Sequence, residues 1–346
     1  MAARVLAVDP DRPASGVLAE AAEIVRAGGL VAFPTETVYG LGANALDRDA
    51  VRRIFEAKGR PSDDPLIVHV GSVDAVAELA DRLPDRLPAL AARFWPGPLT
   101  LVVPRGPAVP LEVTAGRETV ALRVPRHPVA LGLIELAGRP IAAPSANLFA
   151  RPSPTLAAHV VADLGDRIDL ILDGGPARIG VESTVLDLTG RRPRVLRPGG
   201  VTAEELRSVL GDLLEPERPV VRDPRSPGTA ERHYSPRARL DLFEQAEPSV
   251  LAGHASALLA AGQRVGALLW EEDLGALPDG LVVESIGPRA DLRVAAARLY
   301  AALRALDERG VDAIVASMPA AGGLGTALRD RLSRAASGRV LEAPGP

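Results

Sequence analysis

Residues 213–236 read LLEPERPVVRDPRSPGTAERHYSP, and five prolines in that stretch leave no room for a continuous helix or a central strand. No regular periodicity of either kind runs through the segment, so it predicts a long linker. A chain interrupted in this way folds as two units, here 1–212 and 237–346, joined by 213–236. Of its 346 residues, 47% are hydrophobic and 24% charged, which is ample for a buried core on each side.

Upstream of the linker, short apolar runs alternate with amphipathic ones. The stretch GVLAEAAEIVRAG, 16–28, has apolar positions at helical spacing and stops at Gly28-Gly29, a C-cap signal; a strand follows at 30–33. After PTETVYGLG, read as a loop, come a helix over 48–58 and a strand over 66–70. Strands at 99–103, 119–124, 139–143, 169–173, 184–188 and 195–197 alternate with helices near 74–82, 87–94, 128–137, 155–164 and 202–210. This predicts a mixed α/β domain with many strands. Downstream, strands at 265–270, 281–285 and 313–317 with helices over 292–309 and about 325–336 predict a small parallel sheet.

The chain has no cysteine, which excludes disulfide frameworks, thiolate zinc sites, iron–sulfur clusters and cysteine nucleophiles. Its histidines, His69, His127, His159, His233 and His254, lack metal-ligand spacing, and no serine sits in a nucleophile elbow. There is no Walker A pattern, and the nearest dinucleotide-like run, Gly323-Leu-Gly325-Thr-Ala-Leu328, ends in Leu where Gly or Ala is required. The opening MAARVLAVDPDRP has no signal-peptide core, and no stretch approaches the roughly 18 apolar residues that span a bilayer. A cytoplasmic protein without membrane attachment is expected. The net charge of −4 argues against a large nucleic-acid-coating surface, so an anion site must be small and built deliberately.

Candidate chemistry gathers in small polar clusters at strand ends. Lys58 is the only lysine among 40 basic residues, and asparagine occurs only at Asn44 and Asn147. A side chain so rare in a sequence is more apt to stand where its chemistry is used. The run Lys58-Gly59-Arg60-Pro61-Ser62-Asp63-Asp64 brings two cations to a helix end; they suit a polyphosphate, or equally the helix dipole. Ser145 and Asn147 follow an apolar strand, where they fit a ligand contact or a helix cap. Arg123 lies within an otherwise apolar strand and needs an anionic partner, either a structural carboxylate or one from a ligand. PTETVYGLG, Glu182-Ser183 and Arg197-Pro-Gly-Gly complete the set.

In order and spacing, these segments resemble the YrdC/Sua5 family, which makes threonylcarbamoyl-adenylate for the N6-threonylcarbamoyladenosine (t6A) modification of tRNA. The resemblance runs through PTETVYGLG, KGRPSDDPLIVHV, FWPGPLTLVV, ALRVPRHP, APSAN, ESTVLDL and VLRPGG, and on through Ser226-Pro-Gly228 and His233-Tyr234-Ser-Pro236. Residues 299–309 and 323–336 look like the C-terminal domain of the longer, two-domain form. It implies a YrdC-like mixed twisted sheet with flanking helices, plus a small Rossmann-like α/β domain. The implied reaction joins L-threonine, bicarbonate or CO2, and ATP, with Mg²⁺ on the phosphates, and releases pyrophosphate; downstream machinery transfers the product to tRNA, with a weak tRNA contact as a further implied partner.

By the same resemblance Lys58, Arg60, Ser145 and Asn147 form the catalytic signature around the nucleotide. Asp64, Thr119, Ser153, Arg197, His233 and Tyr234 join them as ATP contacts. Thr37, His69, Arg123, the Ala143 backbone and Ser183 hold threonine, and Arg123 is the natural carboxylate clamp on chemical grounds as well. The linker departs from the family pattern at Thr229-Ala230-Glu231-Arg232, where Met usually follows SPG. It reads as a lid over the nucleotide, because a long Pro-rich segment serves poorly as a passive tether. Two other functions compete. Hydrogenase-maturation carbamoyltransferases need zinc-finger segments that a cysteine-free chain lacks, and an RNA-binding translation-associated module fits poorly with 3% aromatics.

Overall fold

In the computed structural model, residues 2–214, 233–244 and 246–341 are described, and they cluster into two units. The first holds 2–149 and 153–214; the second holds 150–152 and the described residues from 233 onward. Most of the expected linker, 215–232, lies outside the described residues.

The first unit runs β1 (Arg4–Ala7), α1 (Ser15–Arg26), β2 (Val31–Phe33), β3 (Gly40–Asn44), α2 (Arg48–Lys58), β4 (Ile67–His69), α3 (Leu87–Phe94), β5 (Leu99–Pro104), α4 (Leu111–Thr114), β6 (Thr119–Arg123), α5 (Pro128–Ala137), β7 (Ile141–Ala142), α6 (Ala157–Leu164), β8 (Leu170–Asp173), β9 (Thr184–Asp187), β10 (Arg194–Arg197) and α7 (Ala203–Leu210). Its strands form one sheet in the order β1-β8-β2-β3-β7-β4-β6-β5-β9-β10, with parallel and antiparallel pairs mixed as expected. Both faces are covered. Val31 and Phe33 of β2 and Ile141 of β7 pack with the apolar stripes of α1 and α5, while Ala32 and Ala142 turn to a second cluster built on α2, α3, α6 and α7.

Three local differences from the sequence expectation have physical causes. The second half of PTETVYGLG is strand β3, in which Gly40 and Gly42 leave room for neighbours: a Cβ on Gly42 would meet Phe33 at 2.7 Å and Ile141 at 2.8 Å. The helix expected at 74–82 shortens to a 3-10 turn, Asp74–Val76, because Ala80 bridges to Arg105 and Gly106 N–H donates to Leu79 O. Strand β1 has an exposed pattern that carries no apolar period.

Helix α2 delivers the sole lysine. Asp47 caps it, its carboxylate accepting from the N–H groups of Asp49 and Ala50. At the far end Gly59 adopts a left-handed φ of 61°, which closes the helix directly after Lys58.

The second unit runs β11 (Arg239–Phe243), α8 (Pro248–Ala260), β12 (Val265–Leu269), β13 (Val282–Ser285), α9 (Leu292–Glu308), β14 (Ala313–Ser317), α10 (Leu324–Ala335) and β15 (Val340–Leu341). Its sheet, β13-β12-β14-β11-β15, is parallel throughout, as the alternating pattern predicts. Strand β11 and helix α8 escape a sequence reading: RLDLF alternates charge into a buried strand, and PSVLAGHASALLA has no polar face to set a helical period. No helix among the described residues is long and apolar enough to cross a membrane.

Replacing Asp47 by Ala removes the cap of α2 and should lower the unfolding free energy by about 1 kcal/mol. Urea denaturation checks this; an unchanged midpoint would mean that packing alone holds the helix start.

Candidate functional site

The turn from β2 to β3, Pro34–Tyr39, is the hub to which the polar clusters attach. Its backbone is held from three directions. Ala146 N–H donates to Tyr39 O at 2.9 Å, Tyr39 N–H to Pro154 O at 2.9 Å, and the N–H groups of Ile179 and Gly180 to Glu36 O and Thr37 O at 2.8 and 3.0 Å. Gly40 also bridges Ser145. Three loops distant in sequence are thereby drawn onto one turn. Within it the Thr35 hydroxyl lies 2.8 Å from that of Thr37 and donates to Val38 O, so the turn is bonded internally as well.

Against this turn lies Arg123, the last residue of β6 and 4% exposed. Its Nε donates to Gly97 O at 3.2 Å, one terminal nitrogen donates to the Thr37 hydroxyl at 3.1 Å, and the other pairs with Glu36 Oε1 at 2.6 Å. The sequence demand for an anionic partner is thus met by a carboxylate from within the chain. Glu36 lies within PTETVYGLG, but nothing local in the sequence marks it as the partner of Arg123. A carboxylate between two threonines after an apolar strand becomes a signal only when matched with the guanidinium buried in another strand.

His69 ends β4 and is the register partner of Arg123. It is 3% exposed, and its ring nitrogens lie beside the main chain of Ile67 and Ile141 without a well-formed hydrogen bond among the described residues. Burial, reinforced by the Arg123 charge, pushes its pKa down to about 3, so the ring is neutral. Ala143 lies close by in the sheet, its N–H donating to Ile67 O at 2.9 Å.

Lys58 is 2% exposed and donates from Nζ to the main-chain oxygens of Ser145 and Asn147. Phe149 N–H returns a bond to Lys58 O, which ties 145–149 to the end of α2. Arg60 donates to the carbonyls of Asp64 and Pro65 and pairs with the Asp64 carboxylate at 3.0 Å. Arg197 donates to Ser183 O at 2.9 Å and to its hydroxyl at 3.3 Å, and that hydroxyl lies 2.7 Å from Thr100. Ser153 donates to Glu182 at 2.6 Å. Gly199 runs beneath this pair, where a Cβ would sit 2.3 Å from Glu182 O.

Of the residues singled out in the sequence, Thr37 and Arg123 are thus bonded to each other, and His69 is the register partner of Arg123. Lys58 meets Ser145 and Asn147, Arg60 meets Asp64, Arg197 meets Ser183, and Ser153 meets the preceding Glu182. Thr119 opens β6, and among the described residues no side-chain hydrogen bond joins it to the others. His233 and Tyr234 belong to the second unit, where Tyr234 stacks on Tyr300 at 5.5 Å and lies under the Arg331 guanidinium at 5.1 Å.

Comparison with known proteins fits this arrangement. Residues 23–199 match the Sua5/YciO/YrdC family, described as telomere recombination, and residues 201–337 match the threonylcarbamoyl-AMP synthase C-terminal domain. The chain is 48% identical over 332 residues to a threonylcarbamoyl-AMP synthase of Bacillus subtilis, covering 94% of each chain. It belongs to the Sua5/YrdC family. A threonylcarbamoyl-AMP synthase of Pyrococcus abyssi is 46% identical over 93% of this chain and 94% of its own. A solved structure of P. abyssi Sua5 complexed with L-threonine superposes with a TM-score of 0.92 at 44% identity, covering 98% of this chain and 99% of that one. The Sua5 fold expected from the sequence, a large mixed sheet with flanking helices, is therefore the fold observed.

His69 makes stability depend on pH with a definite sign. Its native pKa of about 3 lies below the roughly 6.5 of an unfolded chain, so between those values the unfolded state binds the extra proton. Stability from this group is intact above about pH 6.5 and falls as the pH drops toward 3, at up to about 1.4 kcal/mol per pH unit. Burial lowers the pKa of His127 too, so the readout is the difference from His69→Asn, whose stability should fall less steeply between pH 6.5 and 5. Parallel pH profiles for the two proteins would refute the neutral His69.

Proposed function

We propose that this protein is a threonylcarbamoyl-AMP synthase, joining L-threonine, bicarbonate or CO2, and ATP with release of pyrophosphate, as a step toward t6A in tRNA. The reading is supported by one observation: a single turn bonds both to buried Arg123 and to the 144–147 segment that the chain's only lysine holds, in a family with a member solved in complex with L-threonine. The reaction asks little covalent work of the protein. The threonine amine, once deprotonated, forms an N–C bond to CO2; a carbamate oxygen then attacks the α-phosphorus of ATP, and the bond to the pyrophosphate oxygen breaks. Positioning and charge neutralisation supply the catalysis.

Arg123 is assigned the threonine carboxylate, with Thr37, Ser183 and the Ala143 backbone placed to hold the rest of the amino acid. His69, neutral throughout the physiological range, offers the hydroxyl a hydrogen bond without adding charge beside Arg123. Lys58, Arg60 and Arg197 are assigned the phosphates, with Asp64, Thr119, Ser145, Asn147 and Ser153 around the nucleotide. Lys58 donates to the carbonyls of Ser145 and Asn147 and Arg197 to that of Ser183; an ammonium and a guanidinium are the charge types that suit phosphate oxygens. Magnesium is assigned to phosphate oxygens and water; among the described residues no cluster of three His, Asp or Glu side chains could hold the ion by itself. The product is a reactive mixed anhydride, so a transfer enzyme acting on tRNA is the partner class.

Pyrophosphate release measured with each substrate varied tests the assignment. Arg123→Ala would strand Glu36 in the interior, so Arg123→Lys is the cleaner variant. It should raise the threonine KM about 10- to 100-fold, the loss of a forked charge-assisted contact of roughly 1.5–3 kcal/mol, with little change for ATP. Lys58→Arg should lower kcat by at least as much. Threonine-independent pyrophosphate release by the wild type would sink the function, and equal effects of Arg123→Lys on both KM values would move Arg123 out of the threonine pocket.

A further inference from the structure

In the second unit β11 and β14 lie side by side, and their chains leave in opposite directions. From β11 the chain crosses β14 by way of α8 to reach β12; from β14 it crosses β11 by way of α10 to reach β15. Right-handed crossovers put α8 and α10 on opposite faces of the sheet, so the two loops part above the strand ends. Consistent with this, α8 packs on β12 and β14, whereas α10 packs on β11 beside α9. Such a parting point is where open α/β sheets admit ligands. A cavity of about 430 Å³ opens there, inside the roughly 300–1,000 Å³ range of small-molecule sites.

Arg289 gives the cavity its chemistry. The guanidinium lies over the Trp270 ring, 5.7 Å from its centroid, and is forked onto Asp273, with N–O distances of 2.9 and 2.7 Å. Trp270 and Asp273 are each 2% exposed, whereas the Arg289 side chain is 42% exposed. The fork onto Asp273 and the neighbouring indole restrict how the guanidinium can turn, and its exposed part lines the cavity as a flat plate. Such plates stack on nucleobases. The lining charges argue against a phosphate ligand: Asp273 offsets Arg289, and Glu247, at the N-terminal cap of α8, adds a carboxylate. Ser317 accepts from Ala246 N–H at 2.9 Å, which leaves its own hydroxyl proton to donate.

We propose that this cleft binds a nucleoside, its base stacked on Arg289 and its ribose hydroxyls donating to Glu247. All of its lining residues belong to the second unit, and its existence does not depend on the assignment of ATP and threonine.

Equilibrium dialysis of the full chain with adenosine, guanosine, cytidine and uridine tests it, with AMP and ATP as a charge series. At least one nucleoside should bind saturably to the wild type and to Lys58→Ala alike, and should perturb tryptophan fluorescence. Arg289→Lys, which keeps the charge and loses the plate, should weaken binding tenfold or more while pyrophosphate release stays at the wild-type level. Glu247→Gln, at an exposed position that cannot endanger the fold, should weaken it several-fold. Binding lost in Lys58→Ala but kept in Arg289→Lys would put the nucleoside in the first unit and overturn the proposal. So would the absence of saturable binding by all four nucleosides, affinity rising with each added phosphate in Lys58→Ala, or capture of single-stranded RNA far tighter than of any nucleoside.

Discussion

A guanidinium enclosed in a sheet needs a fixed partner for every donor, and Arg123 organises much of the first unit by that requirement. Its acceptors come from two places far apart in sequence: Gly97 on one side, Glu36 and Thr37 on the other. Holding them fixes the turn after β2, and that turn in turn anchors Ala146, Pro154, Ile179 and Gly180. A buried ion pair of this kind is weak evidence for stability, since an apolar substitute would pack at comparable free energy. Its worth lies in specificity: the pair fixes where a carboxylate-sized group meets a guanidinium.

This arrangement also shows that a chain of net charge −4 can hold a set of cations in its interior. The four cations Lys58, Arg60, Arg123 and Arg197 are all buried, and each donates to main-chain oxygen. Overall charge describes the solvated surface and is silent about such an interior. An expectation drawn from composition could therefore limit the site's size but not its location.

How much could be read in advance follows from where the physics is local. Helix α2 and its end at Lys58 were legible because an Asp cap, an amphipathic stripe and a terminal Gly act within a few residues. The parallel order of the second sheet followed from the alternation of strands and helices. Strand β3 was hidden because its identity depends on Phe33 and Ile141 lying where Cβ atoms would be, which is a tertiary fact. Helix α8 was hidden because it lacks a polar face. Most of the candidate site residues were named from resemblance and local chemistry, yet Thr100, and the pairing of Glu36 with Arg123 and of Glu182 with Ser153, emerged only when partners far apart in sequence were brought together.

The burial of Lys58 has a practical side. With no second lysine in the chain, a reagent that acylates amines finds on the folded protein little besides the terminal amine. A lysine-directed protease likewise has one bond to cut, between Lys58 and Gly59, and can reach it only when the last turn of α2 opens. The protein thus carries its own reporter: a single cleavage event marks the moment at which the segment presenting the ammonium comes apart.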